Sequence, residues 1–304
     1  MDSEVSDTDA HQPGHYSGFV GIVGRPNAGK STLFNQLLGQ KLSIITHKAQ
    51  TTRHRIQGFY SDDQYQIVFL DTPGIIQPGY LLQEKMMEQV TRLRTDADLL
   101  LHLVDGRWIP EEDDVVFETL EALSLPSVLV VNKLDLAGKE KAQEVLSAYS
   151  RKNRYIEHVM ISALDGSGVS DLLKTIKKYL PEGPAYFDKD QASDLPMRFF
   201  VSELIREQLF LLYQQEIPYS CAVNVVDFQE EDGKDYIQAE IVVNRNSQKG
   251  ILIGKKGSKL KELGINSRQA ISQFTGRKTD LRLFVKVRDK WREKESFLKS
   301  YGYK

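Results

Sequence analysis

Gly24-Arg25-Pro26-Asn27-Ala28-Gly29-Lys30-Ser31 decides the fold of this 304-residue chain. It matches GxxxxGK[ST], follows a short apolar run over residues 18–23, and opens a helical pattern over 30–38. In a strand–loop–helix setting the glycines let backbone N–H groups approach phosphate oxygens, and the helix N-terminus adds a favourable dipole. Gly24 to Ser31, with Thr32 behind them, are therefore candidate phosphate-binding residues. Lys30 would pair with the β- and γ-phosphates, and the Ser31 hydroxyl would ligate Mg²⁺.

Outward from that loop the chain alternates. Strands are predicted at 55–60, 65–71, 99–104, 127–131 and 158–161, with helices at 81–94, 112–123, 139–149 and 169–179 between and after them. Strands alternating with helices at this spacing predict an α/β domain, a mostly parallel sheet with helices on both faces, over residues 17–180. Residues 1–16 are polar and acidic, without a basic region followed by an apolar stretch, and read as a disordered tail rather than a secretory signal. Residues 181–195 are rich in proline and acids and lack periodicity, which reads as a linker.

Three further elements fall at predicted strand ends. Asp71-Thr72-Pro73-Gly74 follows four apolar residues, placing a carboxylate where a Mg²⁺ partner belongs and the Gly74 N–H where it would meet a γ-phosphate. Asn132-Lys133-Leu134-Asp135 supplies base choice. The Asp135 carboxylate accepts from both N1–H and the 2-amino group of guanine, whereas adenine would leave it unpaired. Lys133 would lay its stem along the base, and Asn132 would bond N7 and brace the phosphate loop. Ser162-Ala163, after the last strand, would offer a backbone N–H to O6. Between the first helix and the second strand, Gln50-Thr51-Thr52-Arg53 marks a mobile loop, with Thr52 favoured as a metal ligand. Together these read as a GTP site with Mg²⁺.

The net charge of −2 hides an asymmetry. Residues 245–304 carry 17 Lys and Arg against 5 Asp and Glu, leaving 23 basic against 37 acidic residues elsewhere. Such a division points to one end that meets a polyanion. The second domain, 196–304, is predicted as a helix at 198–215, strands at 221–228 and 237–243, helices at 251–263 and 267–274, a strand at 281–287 and a basic terminal helix at 290–300. Its centre is Ile253-Gly254-Lys255-Lys256-Gly257-Ser258-Lys259, a GxxG turn with lysines between its glycines. A nucleic-acid backbone can approach the peptide there without side-chain clash. A lone GxxG also fits a plain helix–helix turn; the surrounding basic charge and the strands on either side favour single-stranded RNA.

The remaining chemistry-bearing residues have plainer readings. Cys221, the one cysteine, sits in an apolar stretch and reads as a core thiol. His47, His54, His102 and His158 lack metal-ligand spacing. Glu111, Glu112, Asp113 and Asp114 suit a helix N-terminus through the dipole, and Trp291 reads as a packing residue. No apolar run approaches the ~20 residues of a membrane span.

GRPNAGKST, KAQTTRHR, DTPG, NKLD and ISAL, followed by GILIGKKGS, together resemble the Era family of bacterial GTPases over residues 18–301. The resemblance implies a Ras-like G domain followed by a KH domain with its extra helix and strand on the N-terminal side. It implies binding to the 3′ end of 16S ribosomal RNA and a role in assembly of the 30S subunit, the GTP form binding RNA and hydrolysis permitting release. It further implies a cytoplasmic, monomeric protein that associates peripherally with the membrane. Where Ras-like switches carry a water-orienting glutamine after the DxxG glycine, this chain has Ile75, as the family does, so slow intrinsic hydrolysis is expected. Asn27 resembles the asparagine that in related GTPases helps hold a K⁺ ion, and with Lys30, Thr52 and Gly74 completes the expected catalytic set. Two other readings exist: an RNA-binding factor that holds GTP without turnover, and a P-loop metabolic kinase, which NKLD argues against.

Overall fold

A computed structural model describes residues 14–111 and 114–303. The chain forms two compact units, and they are not contiguous in sequence. One gathers the residues up to Lys41 with Arg55–Ile75 and Val90–Asp194; the other gathers Leu42–His54, Ile76–Gln89 and the chain from Leu195 onward.

The first unit is built on a six-stranded sheet of order β2-β3-β1-β4-β5-β6, comprising β1 (Tyr16–Val23), β2 (Ile56–Ser61), β3 (Tyr65–Asp71), β4 (Leu99–Asp105), β5 (Ser127–Asn132) and β6 (Glu157–Met160). All neighbouring pairs are parallel except β2 with β3. The central strands, LLLHLVD in β4 and SVLVVN in β5, are almost wholly buried, as strands covered on both faces must be. Helices α1 (Lys30–Leu38), α3 (Leu93–Asp96), α4 (Val115–Leu123), α5 (Leu134–Ala137), α6 (Lys139–Lys152) and α7 (Val169–Lys177) complete this unit. The candidate residues leave the carboxyl ends of β1, β3, β5 and β6, where open α/β sheets bind ligands.

The second unit carries a three-stranded sheet, β7 (Ala222–Glu231), β8 (Lys234–Val243) and β9 (Lys278–Val287), with β7–β8 antiparallel and β8–β9 parallel. Helices α8 (Met197–Leu212), α9 (Ile217–Ser220), α10 (Asn246–Ile253) and α11 (Ser258–Thr275) belong to it, and α12 (Glu295–Ser300) ends it. Leu209, Cys221, Ile241, Leu252 and Leu263 form one core, and Val201, Ile205, Ala239 and Ile271 another. Cys221 is wholly buried, and burial pushes its thiol up to about 12. Helix α2 (Leu81–Thr91) contributes Leu82 and Met86 to a third cluster with Trp291, Leu298 and Tyr303.

Several expectations are corrected. The helix expected over 81–94 is two, α2 and α3. The helices expected at 251–263 and 267–274 are instead α10, ending before Gly254, and one unbroken α11. The GxxG turn is the break, while the Gly-Ile-Asn sequence at 264–266 stays helical at the modest cost of a mid-helix glycine, about 1 kcal/mol. The terminal helix expected from 290 is a 3₁₀ turn, Trp291–Glu293, followed by α12. Trp291 is a packing residue, fully buried with its indole N–H donated to Ser220 O at 2.9 Å. Helix α4 starts at Val115 rather than 112, because the Asp114 side chain accepts from Val116 N at 3.0 Å and caps it; Glu112 and Asp113 lie outside the described residues. Of the expected tail, 1–13 lie outside the described residues, and Tyr16 already belongs to β1. The stretch read as a linker packs along β2 and β3. The Gln66 side chain accepts from Tyr186 N and Phe187 N and donates to Phe187 O, Phe187 stacks on Phe59 at 3.9 Å, and Ser193 Oγ donates to Gln57 O.

Candidate nucleotide site and nucleic-acid interface

The loop from Gly24 to Ser31 needs its glycines for steric reasons. A Cβ on Gly24 would lie 2.2 Å from Leu103 O, and one on Gly29 would lie 2.2 Å from Asn132 Nδ2. Both have positive φ, 148° and 102°, as does Asn27 at 62°. Lys30 opens α1 and is buried, its Nζ donating to Gly24 O at 3.1 Å and Arg25 O at 2.9 Å. Burial lowers this ammonium to about 8, although Asp71 pulls the other way. The cation is thus folded over the carbonyls of its own loop, where Ala28 N also donates to Arg25 O at 3.4 Å.

Beside it the Ser31 hydroxyl donates to Asp71 Oδ2 at 2.8 Å, and Asp71 is wholly buried. A hydroxyl and a carboxylate side by side are the hard oxygen donors that suit Mg²⁺. The register Ile22↔Asp71 holds this aspartate level with the end of β1, and Thr72 Oγ1 donates to Ile22 O at 2.7 Å. Pro73 leads into Gly74, where a Cβ would come within 2.8 Å of Pro26 N; the next amide, Ile75 N, donates to Gly24 O at 3.1 Å. Ile75 itself is buried at 2% exposure, a side chain that has no means of holding water.

Asn132 connects two loops. Its Nδ2 donates to Ala28 O at 2.8 Å, and its Oδ1 accepts from Ala163 N at 2.9 Å. The Ala163 amide expected to meet guanine O6 is therefore engaged by Asn132 in this structure. Lys133 sits in the left-handed region (φ 64°) and donates to Asn27 O at 2.6 Å and Asp105 Oδ2 at 2.8 Å. Asp135 is exposed, with Oδ1 accepting from Ser162 Oγ at 2.7 Å, so the carboxylate is oriented while its outer edge faces solvent.

Sequence reasoning missed the supports behind these groups. Burial would raise the Asp105 carboxyl, but bonds from Arg107 and Lys133 bring it down to about 2. The Arg25 guanidinium donates to Asp114 Oδ2 and Glu111 Oε2, both at 2.8 Å, so part of the acidic cluster tethers the phosphate loop as well as capping α4. A cavity of about 550 Å³ lies between Arg25, Asn27, Asp105, Trp108 and Lys133. The pairing of Asp105 with Asn132 across β4 and β5 is the signal that could have found this aspartate, since both end strands at the same level.

Thr52 belongs to segment Leu42–His54, which folds with the second unit, and is buried. The neighbouring Thr51 hydroxyl closes its own turn on Lys48 O at 2.7 Å.

In the second unit, Gly254 (φ 69°) ends α10 and Gly257 (φ 80°) precedes α11. A Cβ on Gly254 would stand 2.7 Å from Lys259 Cγ, so this residue also has to be glycine. Lys255, Lys256, Ser258 and Lys259 are exposed, while Ile253 packs partly into the core. A groove of about 470 Å³ continues from Gly257 along α11 past Leu260, Lys261, Gly264 and Arg268, with Leu281 and Leu283 of β9 as its other wall. These residues were not singled out from the sequence. Their signal is helical spacing, since 257, 261, 264 and 268 fall on one face. An apolar trough with cations at its rim suits stacked bases and a phosphate backbone.

Comparison with known proteins bears on both parts of the chain. The family described as 50S ribosome-binding GTPase matches residues 19–133, and the KH domain family matches 216–292. The GTPase Era of Lactobacillus helveticus is 46% identical over 288 residues, covering 94% of this chain and 96% of that protein. A chloroplastic ERA-like GTPase of Oryza sativa is 44% identical over 97% of this chain and 71% of its own length. An Aquifex aeolicus Era variant bound to GDP·AlF4⁻ superposes with TM-score 0.90 at 39% identity, covering 95% of this chain and 99% of that one. An Era complex with MgGDPNP and nucleotides 1506–1542 of 16S ribosomal RNA superposes with TM-score 0.88, with the same identity and coverage.

Proposed function

Because the chain belongs to the Era family of GTPases, a GTP hydrolase with a C-terminal KH domain, we propose that it binds the 3′ end of 16S ribosomal RNA during assembly of the 30S subunit, with its nucleotide state controlling that binding. The observation that carries the nucleotide half is Asn132, which ties Ala28 of the phosphate loop to Ala163 of the base loop while Asp135 presents its carboxylate to solvent. The RNA half rests on the basic GxxG turn and the groove beside it.

In this reading the amides of Gly24 to Ser31 and Thr32 bind the phosphates, and Lys30 exchanges its two carbonyl partners for phosphate oxygens. Ser31, Asp71 and Thr52 would hold Mg²⁺, an ion that would neutralise phosphate charge there. Asp135 reads guanine, and Ala163 N turns from Asn132 to O6. The Gly74 N–H meets the γ-phosphate. With Ile75 in place of a glutamine, turnover depends on positioning and is slow without an activator. Asn27, exposed at the loop's apex, would hold K⁺, giving faster phosphate release in K⁺ than in Na⁺ and no such difference in Asn27→Ala. Ile253 through Lys259 form the RNA-gripping turn. A monomer in the cytoplasm with peripheral membrane association completes the proposal; among the described residues no helix is long and apolar enough to cross a membrane.

Crosslinking the GTP-bound protein to RNA and sequencing the attached fragments tests the reading. Recovery of the 16S 3′ end, lost in Gly254→Asp while GTP affinity is retained, is expected. Recovery of unrelated RNA, or undiminished recovery in the variant, would refute it.

A further inference from the structure

Segment Leu42–His54 is fastened into the unit that carries the GxxG turn by two cations at helix ends. Lys48 Nζ donates to the carbonyls of Phe210 and Tyr213, where α8 stops. Carbonyls in the last turn of a helix have no partner within it, and a cation there also meets the negative end of the dipole. Arg53, 1% exposed, does the same for α9, donating to Pro218 O at 3.0 Å, Tyr219 O at 3.1 Å and Cys221 O at 2.7 Å. Ile45 N adds a third fastening on Glu207 Oε1 at 3.1 Å.

Tyr213 is the residue that faces both ways. Its carbonyl receives Lys48, while its hydroxyl, on a side chain 4% exposed, donates to Leu252 O at 2.8 Å. Leu252 is buried in the last turn of α10, two residues before Gly254. Its carbonyl is one that the helix leaves unpaired, so the phenol completes the end of α10 from which the basic turn departs. Burial pushes the phenol's pKa up, which keeps it a hydrogen-bond donor over the working range of pH. The core around this line is continuous: Leu209, Tyr213, Cys221, Leu252 and Leu263 share one cluster, with Ile253 and Leu260 packed against it.

We infer that Lys48, Tyr213 and the Leu252 carbonyl form the line through which the placement of segment Leu42–His54 sets the geometry of the GxxG turn, making Tyr213 a positioning residue for nucleotide-dependent RNA binding. This rests on the reading that nucleotide state controls RNA affinity. With the segment docked, Lys48 holds the end of α8, Tyr213 is fixed, and α10 ends with Gly254 ready to receive a backbone. With the segment withdrawn, two part-buried carbonyls lose their cation, the end of α8 loosens, and the phenol no longer holds Leu252.

The test is a thermodynamic cycle on the full chain. A single-stranded RNA with the 3′-terminal sequence of 16S ribosomal RNA is titrated into protein loaded with GDP or with a non-hydrolysable GTP analogue. Wild type should bind more tightly in the triphosphate form. Tyr213→Phe, which keeps the ring and removes the single hydrogen bond, should shrink the ratio of the two affinities about fivefold. Affinity for the nucleotides themselves should be unchanged. Lys48→Met should shrink the ratio similarly, and the double variant should lose little more than either alone, as residues in one network do. If wild type shows a preference and Tyr213→Phe retains it in full, the line through Tyr213 is overturned while nucleotide control stands. If wild type binds RNA equally in both forms, nucleotide control fails and this inference falls with it.

Discussion

Lys30→Met should stabilise the nucleotide-free protein while abolishing its ability to hold GTP. The Lys30 ammonium is buried in the fold, and burial draws it from 10.5 to about 8. At about 1.4 kcal/mol per unit, that shift represents roughly 3 kcal/mol of destabilisation at neutral pH. The sign follows from the direction. A depressed lysine costs the folded state while it is charged, below about 8, and the cost fades as pH rises toward the unfolded value. Methionine has similar length and no charge to desolvate, but it forfeits the bonds to Gly24 O and Arg25 O, each contributing about 1 kcal/mol. The net gain should be about 1–2 kcal/mol, a rise of roughly 2–8 °C in the thermal midpoint. Urea unfolding of nucleotide-free wild type and variant at neutral pH and near pH 10 (approximately) measures it. The variant's advantage should be clear at the first and small at the second. A variant less stable than wild type at neutral pH, or an advantage that does not change with pH, would refute the argument that Lys30 is held at a cost for the sake of a ligand.

Asp135→Asn replaces an acceptor edge with one that presents an N–H to the guanine donors, and GTP affinity should fall about 100- to 1000-fold without a gain for ATP. Competition titration checks this, and retained GTP affinity would remove Asp135 from the base site. His102 is buried beside Tyr155 OH at 2.7 Å, and burial, aided by Lys30, lowers its imidazole to about 3. It folds neutral, so stability present above its ordinary value of 6.5 is lost as pH falls toward about 3. Roughly 2 kcal/mol should disappear between about pH 7 and about pH 5, and His102→Gln should lose correspondingly less in the same urea titrations.

The phosphate loop, the order of strand-end motifs and the GxxG turn were legible in the amino acids alone. Each of these is local: glycines at 24, 29 and 254 are demanded by their own φ values and by atoms a Cβ would strike. The alternating strands were equally legible, because the buried runs of β4 and β5 declare themselves by composition. Ends of helices were less so. Where α4 and α11 begin is settled by a cap and a turn rather than by the apolar period.

The supporting contacts emerge from long-range packing. Nothing in the spacing pairs Arg25 with Asp114, 89 positions away, or Asp105 with Lys133. Nor does the polar loop around Gln50 announce that Lys48 and Arg53 will cap helices more than 160 residues further on. These are cations meeting carbonyls and carboxylates across long loops. Their selection comes from burial, which makes every unpaired charge costly, and burial exists only once the chain has folded.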